Sequence, residues 1–213
     1  MDLIQEYWNK KFKDKQKIWG DEPSESAIRA VKYLKKNSVA QGKILDLACG
    51  YGRDSIFFSE NTYAVRGIDI SDEAISLAGN NYKNIDFIVG DIFNLPYRDQ
   101  SFDVVFGNFI LHLFLGEDRS KILNEALRVT KNGGISIFSV ASVEDADYGV
   151  GKEVGKDCYV NSRGVTKFYY SKESIMREFS NFSDIEIDVI EEYHDHDTPH
   201  KHSSYLIFAK RMS

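Results

Sequence analysis

Residues 43–54 read Lys-Ile-Leu-Asp-Leu-Ala-Cys-Gly-Tyr-Gly-Arg-Asp, and this stretch decides the fold. Its apolar first half predicts a short buried strand that ends at Ala48. Gly50 and Gly52 predict a tight turn, and a helical pattern begins directly after it. A glycine turn between a strand and a helix lets a ligand approach the backbone N–H groups of a helix N-terminus. The stretch therefore predicts a ligand-binding strand–turn–helix unit.

Two carboxylates, Asp46 and Asp69, indicate the ligand. Asp69 ends the next predicted strand, where a carboxylate can accept both hydroxyls of a ribose. Asp46 precedes the turn, where it would repel a pyrophosphate and suit a cationic amino group. The dinucleotide fingerprint also needs a third glycine where this chain has Ser55. S-adenosylmethionine, with an ammonium, a sulfonium, a ribose and no phosphate, fits better than a nicotinamide dinucleotide, although a nicotinamide oxidoreductase remains an alternative.

Residues 40–140 resemble the class I S-adenosylmethionine-dependent methyltransferases in the order and spacing of several motifs. Residues 46–52, Asp-Leu-Ala-Cys-Gly-Tyr-Gly, are similar to the family's acid-x-Gly-x-Gly-x-Gly loop, with Ala48 in place of the first glycine. Alanine adds only a methyl group, but it is strained where the backbone needs a positive φ. Asp69 matches the acid that binds ribose in the family.

The later motifs of the family follow in order. Residues 89–96, Val-Gly-Asp-Ile-Phe-Asn-Leu-Pro, resemble the motif at the adenine edge. Residues 101–109 resemble the fourth strand. Residues 125–138 are similar to the following helix, the Lys-x-Gly-Gly turn and the fifth strand.

The resemblance implies S-adenosylmethionine as the cofactor, S-adenosylhomocysteine as the product and a small molecule as the methyl acceptor. It places the methionine end on the glycine loop, the ribose on Asp69 and the adenine near Asp91, with the Asn108 region at the reactive face. A narrower similarity is to the tellurite-resistance and thiopurine methyltransferases. The implied cofactor-binding residues are Asp46, Ala48, Cys49, Gly50, Tyr51, Gly52, Arg53, Asp69, Ile70, Asp91, Ile92, Phe93, Asn108 and Phe109.

Methyl transfer from a sulfonium mainly requires alignment of a nucleophile in a dry pocket. A hydroxyl or ammonium acceptor would also need a base. His112 follows the fourth strand and is a candidate base, with a helix-start histidine bonded to backbone as the alternative. Tyr169 is a second candidate catalytic residue.

Residues 141–170 depart from the alternating pattern and are rich in Gly, Asp, Lys and Tyr. Ligands of open α/β sheets lie beyond the carboxyl ends of the strands, so this insert is expected to lie over the site. We predict a lid or acceptor insert. The alternative is a surface excursion that pairs an extra strand against itself.

Four of the five histidines fall close together near the C-terminus: His194, His196, His200 and His202. Their spacing would put each pair on one face of a hairpin strand. A metal site, contact with the acceptor and a solvated hairpin tip are the alternatives. We predict no metal, since no Cys₂–Cys₂ or His-Glu-x-x-His pattern is present.

Length and charge set the class of protein. The 213 residues fit one methyltransferase domain, with residues 1–40 as an N-terminal helical cap. A net charge of −6 disfavours broad contact with nucleic acid phosphates. The two cysteines offer no disulfide framework, and no apolar run predicts a signal peptide or membrane span. We expect a cytoplasmic monomer or homodimer.

The alternation of patterns predicts the fold class. Strands are predicted near residues 43–48, 64–69, 85–89, 102–107 and 133–140, with helices near 25–37, 53–60, 72–81 and 117–130. The last two apolar segments, 185–190 and 204–209, predict an antiparallel hairpin. Together these elements predict a Rossmann-like, doubly wound, mostly parallel seven-stranded sheet with helices on both faces.

Two competing functions remain at this level. A tRNA or protein methyltransferase would show a basic groove. A module that binds the cofactor without turnover would show an acceptor pocket blocked by Tyr148 or Tyr169.

Overall fold

The computed structural model describes residues 2–162, 164–194 and 200–212. Its helices are α1 (Asp2–Lys15), α2 (Glu25–Lys36), α3 (Arg53–Glu60), α4 (Asp72–Asn81), α5 (Gly116–Val129) and α6 (Lys172–Glu178), with a 3-10 turn at Leu111–Leu113. Its strands are β1 (Gly42–Leu47), β2 (Tyr63–Asp69), β3 (Asp86–Val89), β4 (Phe102–Asn108), β5 (Thr130–Ala141), β6 (Lys152–Gly155), β7 (Cys158–Val160), β8 (Thr166–Phe168), β9 (Ser183–His194) and β10 (His200–Lys210).

Seven strands form one sheet in the order β3-β2-β1-β4-β5-β10-β9. The first five are parallel, and β10 runs antiparallel to both β5 and β9. The predicted fold class and C-terminal hairpin are therefore confirmed. All of the strands and helices predicted up to residue 141 are present, with bounds that differ by no more than three residues.

Helices cover both faces of the sheet. Neighbouring residues of a strand point to opposite sides, so each strand contributes apolar side chains to both faces. Ile44 packs with α2 and α3 residues such as Ala27 and Phe58. The next residue, Leu45, packs on the other face with the α5 residue Leu123. This pattern explains why the strand sequences read as continuous apolar runs rather than as strict alternation.

Serine caps begin three of the helices. Ser24 accepts a hydrogen bond from the N–H of Ala27 at 3.1 Å, and Ser71 accepts one from Ala74 at 3.1 Å. Ser171 forms a capping box with Ser174. These bonds satisfy N–H groups that have no partner within the helix, so each cap fixes where its helix begins.

The insert between β5 and α6 contains a small antiparallel sheet, β6-β7-β8. It is anchored to the protein, since Cys158, Phe168 and Tyr170 are buried in the core that also contains α5. The guanidinium of Arg119 on α5 lies 3.8 Å from the centre of the Phe168 ring. The insert therefore pairs with itself, as one alternative expected, and also forms a fixed part of the core on one side of the sheet.

No helix in the described part of the chain is both long and apolar enough to cross a membrane. Cys49 and Cys158 are free thiols.

Replacement of Arg119 by methionine is expected to lower the free energy of unfolding by about 3–5 kcal/mol. Arg119 donates to Glu178 at 2.7 and 3.0 Å, and both side chains are largely buried, so the variant leaves the Glu178 carboxylate without its cation. The measurement is urea denaturation at pH 7.5. Lys121→Met is the matched control, because the Lys121–Asp118 pair on the same helix is exposed and should contribute less than about 1 kcal/mol. Equal losses in the two variants would contradict the anchoring role of Arg119.

Candidate functional site

The glycine turn lies where the sequence predicts it, at the carboxyl end of β1. Gly50 and Gly52 have φ values of 56° and 83°, and α3 begins at the next residue. Ala48 has a φ of 53°, so the alanine occupies a left-handed conformation that favours glycine. The strain foreseen for this departure from the family pattern is therefore present.

Asp69 ties the glycine turn to the start of α4. One oxygen of its carboxylate accepts the N–H of Gly50 at 2.8 Å, and the other accepts the N–H of Ser71 at 2.9 Å. Burial raises the pKa of Asp69, and these two N–H donors oppose the rise. The next residue, Ile70, is half-buried.

Asp46 lies buried at the end of β1 and accepts a hydrogen bond from the Ser55 hydroxyl at 2.5 Å. Burial raises its pKa well above the usual range for an aspartate, and the charges of Asp54 and Asp69 raise it further. The same burial raises the pKa of the neighbouring Cys49 thiol. The pocket is therefore unfavourable for negative charge.

Asp54, which the sequence analysis did not select, lies buried beside the glycine turn. Its carboxylate accepts the N–H and the hydroxyl of Ser24 at 2.7 and 2.8 Å and the Asn108 amide at 3.2 Å. It thus joins α3, the start of α2 and the end of β4. Its place beside Arg53 in the glycine stretch was visible in the sequence, but its partners lie 30 and 54 residues away.

The other predicted cofactor residues lie along the same edge of the sheet. Asp91 follows β3 and accepts the N–H of Phe93 at 2.9 Å. Ile92 is buried in the core, and Phe93 contacts the Phe114 ring edge-on at 5.2 Å. Asn108 ends β4, where its carbonyl oxygen accepts the Ser139 hydroxyl.

The N-terminal segment covers the glycine turn with aromatic rings. An added Cβ at Gly50 would lie 3.4 Å from the Phe12 ring and 3.8 Å from the Trp19 ring. Tyr51 is buried, and its hydroxyl donates to the carbonyl of Gly20 at 2.8 Å. Arg53 donates to the carbonyl of Trp19 at 2.8 Å. The predicted residues Tyr51 and Arg53 therefore hold the N-terminal segment in place.

A second space, the acceptor cavity, lies beyond the carboxyl ends of β4 and β5 and has a volume of about 160 Å³. Phe109 and Ala141 supply apolar walls. Its polar lining residues include His112, Asp145, Lys167, His202 and Ser203. Phe109 has a φ of 52° and is 42% exposed, and it directly follows Asn108 at the end of β4.

His112 lies in the 3-10 turn after β4 and is buried. Burial lowers its pKa to about 3, with a smaller contribution from the charge of Lys167. Its imidazole is therefore neutral at physiological pH. The same low pKa makes it a weak base.

Tyr169 is 3% exposed and lies among aromatic rings, 5.6 Å from Tyr148 and 6.0 Å from Tyr159. Neither Tyr169 nor Tyr148 lines the acceptor cavity. Tyr169 therefore lies outside the cavity that His112, the other candidate catalytic residue, lines.

The four C-terminal histidines are only partly described. His196 lies outside the described residues, and so do the side chains of His194 and His200, whose backbones pair across the hairpin. His202 contacts Asp145 instead: its Nδ1 lies 3.1 and 3.3 Å from the two carboxylate oxygens. The alternatives for the histidine group stay predictions, apart from the place of His202 in the acceptor cavity.

Comparison with known proteins agrees with this geometry. Residues 45–138 match the family model described as a methyltransferase domain. This part of the chain is similar to methyltransferase domains. This match confirms the predicted resemblance to class I S-adenosylmethionine-dependent methyltransferases.

A demethylmenaquinone methyltransferase of Thermotoga maritima is 36% identical over 94 residues, which are 43% of this chain and 40% of that protein. The chain spans less than half the length of the curated relatives that it matches. The narrower similarity to tellurite-resistance and thiopurine enzymes stays a prediction.

Solved structures share the fold. A Methanosarcina mazei S-adenosylmethionine-dependent methyltransferase has a TM-score of 0.68 at 22% identity, covering 81% of this chain and 93% of that one. The Burkholderia thailandensis 1,6-didemethyltoxoflavin-N1-methyltransferase, with S-adenosylhomocysteine bound, has a TM-score of 0.72 at 17% identity, covering 100% and 88%.

Replacement of Asp46 by asparagine is expected to stabilise the free protein increasingly as the pH rises. Folding raises the pKa of Asp46, so the folded state binds the proton of this carboxyl group more tightly than the unfolded state does. The free energy of unfolding of the wild type therefore falls as the pH rises from about 4, the pKa of an unfolded aspartate, through the folded pKa. The variant carries no such group. Its free energy of unfolding should therefore exceed that of the wild type by about 1 kcal/mol or more at pH 8, and by less at pH 5.

Urea denaturation at both pH values measures this difference. Asp118→Asn is the control, because Asp118 is exposed and its replacement should give a difference that does not change with pH in this way. A pH-independent difference for Asp46→Asn would show that this carboxylate is already compensated in the free protein.

Proposed function

We propose that this chain is an enzyme that binds S-adenosylmethionine at the carboxyl ends of β1, β2 and β3 and transfers its methyl group to a small molecule in the acceptor cavity. The observation that carries the proposal is the burial of three carboxylates, Asp46, Asp54 and Asp69, around the glycine turn. The methyltransferase match over residues 45–138 supports the same reading.

The charge of the pocket fits a cationic ligand that lacks phosphate. Burial and the charges of Asp54 and Asp69 raise the pKa of Asp46, so a positive charge placed beside Asp46 stabilises its ionised form. An ammonium and a sulfonium supply that charge, whereas a pyrophosphate would add negative charge. The nicotinamide alternative is therefore disfavoured by electrostatics as well as by the absence of the third glycine.

The residues present fit the cofactor along its length. Asp46 and the glycine turn would hold the methionine end, and Asp91 and Ile92 would hold the adenine. Asp69 would hold the ribose, since each of its oxygens accepts one backbone N–H and a carboxylate oxygen can accept two hydrogen bonds. When bound, the cofactor supplies an electrophilic methyl group on sulfur.

The N-terminal segment forms a cap over this site. α1 contacts the start of α4, where Ser71 donates to the Asn9 side chain at 2.6 Å, and the rings of Phe12 and Trp19 cover Gly50. Trp8 also contacts both rings, at 5.8 and 6.2 Å between ring centres. The cap would exclude water from the sulfonium and orient it, which is the main requirement of the reaction.

The insert and the hairpin shape the acceptor side. Lys167 of β8 and Asp145 before β6 line the cavity together with Ser203 of β10. The relatives named above act on small organic molecules according to their descriptions, and a cavity of this size suits a compact acceptor. Because Tyr148 and Tyr169 do not line it, a binding module with a blocked pocket loses its support.

Calorimetric titration with S-adenosylmethionine, S-adenosylhomocysteine and NAD tests the proposal. We expect micromolar binding of the two adenosyl ligands and none of NAD. Asp69→Ala should weaken S-adenosylmethionine binding by roughly 1.5–3 kcal/mol, the value of a hydrogen bond to a charged group. Asp86→Ala, which removes an exposed carboxylate of β3, is the control and should change little. Binding of NAD, or of no ligand, would overturn the proposal.

Phe12→Ala is expected to speed dissociation of S-adenosylmethionine and to weaken its binding about tenfold, or 1.4 kcal/mol, because the variant opens the cap above Gly50. Both tryptophans lie in the cap, so stopped-flow tryptophan fluorescence measures the dissociation rate directly. Leu3→Ala on the same helix is the control, since Leu3 is 82% exposed. An unchanged dissociation rate in Phe12→Ala would show that α1 does not close over the cofactor.

A further inference from the structure

The acceptor cavity contains buried polar groups that no described residue satisfies. His112 Nδ1 and Ser203 Oγ both lack a hydrogen-bond partner, although their residues are only 4% and 1% exposed. A buried polar group without a partner costs about 1–3 kcal/mol. Both residues line the cavity, so a polar molecule is better matched to this wall than an apolar one.

Next to these groups, Asp145 and His202 form a dyad. Asp145 is held rigidly, because its two oxygens accept the N–H groups of Asp147 at 2.9 Å and Ser203 at 2.8 Å. The same carboxylate lies 3.1 Å from His202 Nδ1. A carboxylate in this position fixes the tautomer that carries its proton on Nδ1, which directs the basic lone pair to Nε2.

The two histidines of the cavity differ in what they can do. His112 is buried, and Lys167 opposes a positive charge on it, so it serves as a neutral hydrogen-bonding group. His202 is one-third exposed, and its Nδ1 lies 3.1 Å from a carboxylate oxygen of Asp145. Among the described residues, the charged groups near His202 also include Asp147, the cavity-lining Lys167 and Glu192, which pairs with it across the hairpin. His202 is therefore the better base of the two.

The walls of the cavity limit the acceptor further. Phe109 and Ile190 supply apolar surface beside the polar groups, and the small volume favours a single ring. An imidazole matches an acceptor of intermediate acidity, such as a phenol with a pKa near 10, better than an aliphatic alcohol.

We propose that the acceptor is a single-ring aromatic hydroxyl compound, that His202 is the catalytic base that deprotonates it, and that Asp145 is the positioning residue for His202. This inference rests on the proposed function. The acceptor oxygen forms a bond to the methyl carbon as the carbon–sulfur bond breaks, and the pair of that bond goes to sulfur. The products are an aryl methyl ether and S-adenosylhomocysteine, and the hydroxyl proton passes to His202.

Matched acceptors test the base. Phenol and 4-hydroxybenzoate need deprotonation at pH 7, whereas thiophenol is already largely ionised and needs no base. With S-adenosylmethionine, the wild type should methylate the hydroxyl acceptors. His202→Asn keeps a donor to Asp145 and loses the base, so it should lower kcat for phenol by about 10²–10⁴-fold and leave thiophenol within about threefold. Its rate with phenol should recover as the pH rises toward 10, because the acceptor then ionises without help.

Two further variants complete the experiment. Asp145→Asn should lower kcat for phenol and move its pH profile, with KM changed less. Lys121→Gln is the control, because Lys121 is exposed and pairs with Asp118 on α5 rather than with the dyad, so it should leave both rates unchanged. Calorimetry of S-adenosylmethionine binding to each variant shows whether the cofactor site is intact.

Phenol binding without cofactor gives a readout that is independent of turnover. In the ¹⁵N spectrum of histidine-labelled protein, the His202 ring should show the Nδ1–H tautomer. Addition of phenol should shift the His112 and His202 signals, and Ser203→Ala should weaken this binding several-fold. A His202 ring protonated on Nε2, or His112 and His202 signals that phenol leaves unchanged, would overturn the inference.

Other outcomes would also overturn it. With the wild type, these are methylation of thiophenol alone and methylation of none of the three acceptors. With His202→Asn, it is an equal loss of the phenol and thiophenol rates. A further one is that EDTA abolishes phenol methylation and Mg²⁺ restores it. If S-adenosylmethionine still binds in such a case, the cofactor part of the proposed function stands. A protein that binds no adenosyl ligand would instead refute the proposed function itself.

Discussion

Burial of negative charge at one edge of a parallel sheet is the constraint on which the rest of this molecule depends. Asp46 and Asp69 end adjacent strands, and Asp54 begins the helix after the glycine turn. Each of the three carboxylates is held by backbone N–H or hydroxyl donors from other elements. These donors are neutral, and the cation of Arg53 lies 3.8 Å from the Asp54 carboxylate. A cationic cofactor would add positive charge beside Asp46, whose pKa is raised by burial and by the charges of Asp54 and Asp69.

The surrounding elements follow from this arrangement. Asp54 fixes the start of α2 through Ser24, and Asp69 fixes the turn to α4 through Gly50 and Ser71. The N-terminal segment is in turn held by Tyr51 and Arg53 of the same turn. A site built in this way connects cofactor binding to the packing of the cap, because the same short stretch of chain serves both.

The acceptor side is built differently. Its walls come from the insert and from the C-terminal hairpin, which are joined directly by the hydrogen bond from the Ser203 N–H to Asp145. Arg119, Phe168 and Glu178 also hold the insert against α5 and α6. The dyad of Asp145 and His202 joins residues that are 57 positions apart. The two sides of the site meet at Asn108 and Phe109, at the end of β4.

The sequence by itself determined the sheet, the glycine turn and the cofactor edge, because these depend on local patterns: apolar runs, glycines at fixed spacing and acids at strand ends. Asp46, Asp69 and Asn108 could be found in this way. Only the tertiary structure decided the partners of Asp54, the aromatic cap over Gly50, and the meeting of His202 with Asp145. These contacts depend on strand register and on how the insert packs, and no short-range pattern encodes either. The residues proposed for the cofactor are thus close together in the sequence, while those proposed for the acceptor come from distant segments of the chain.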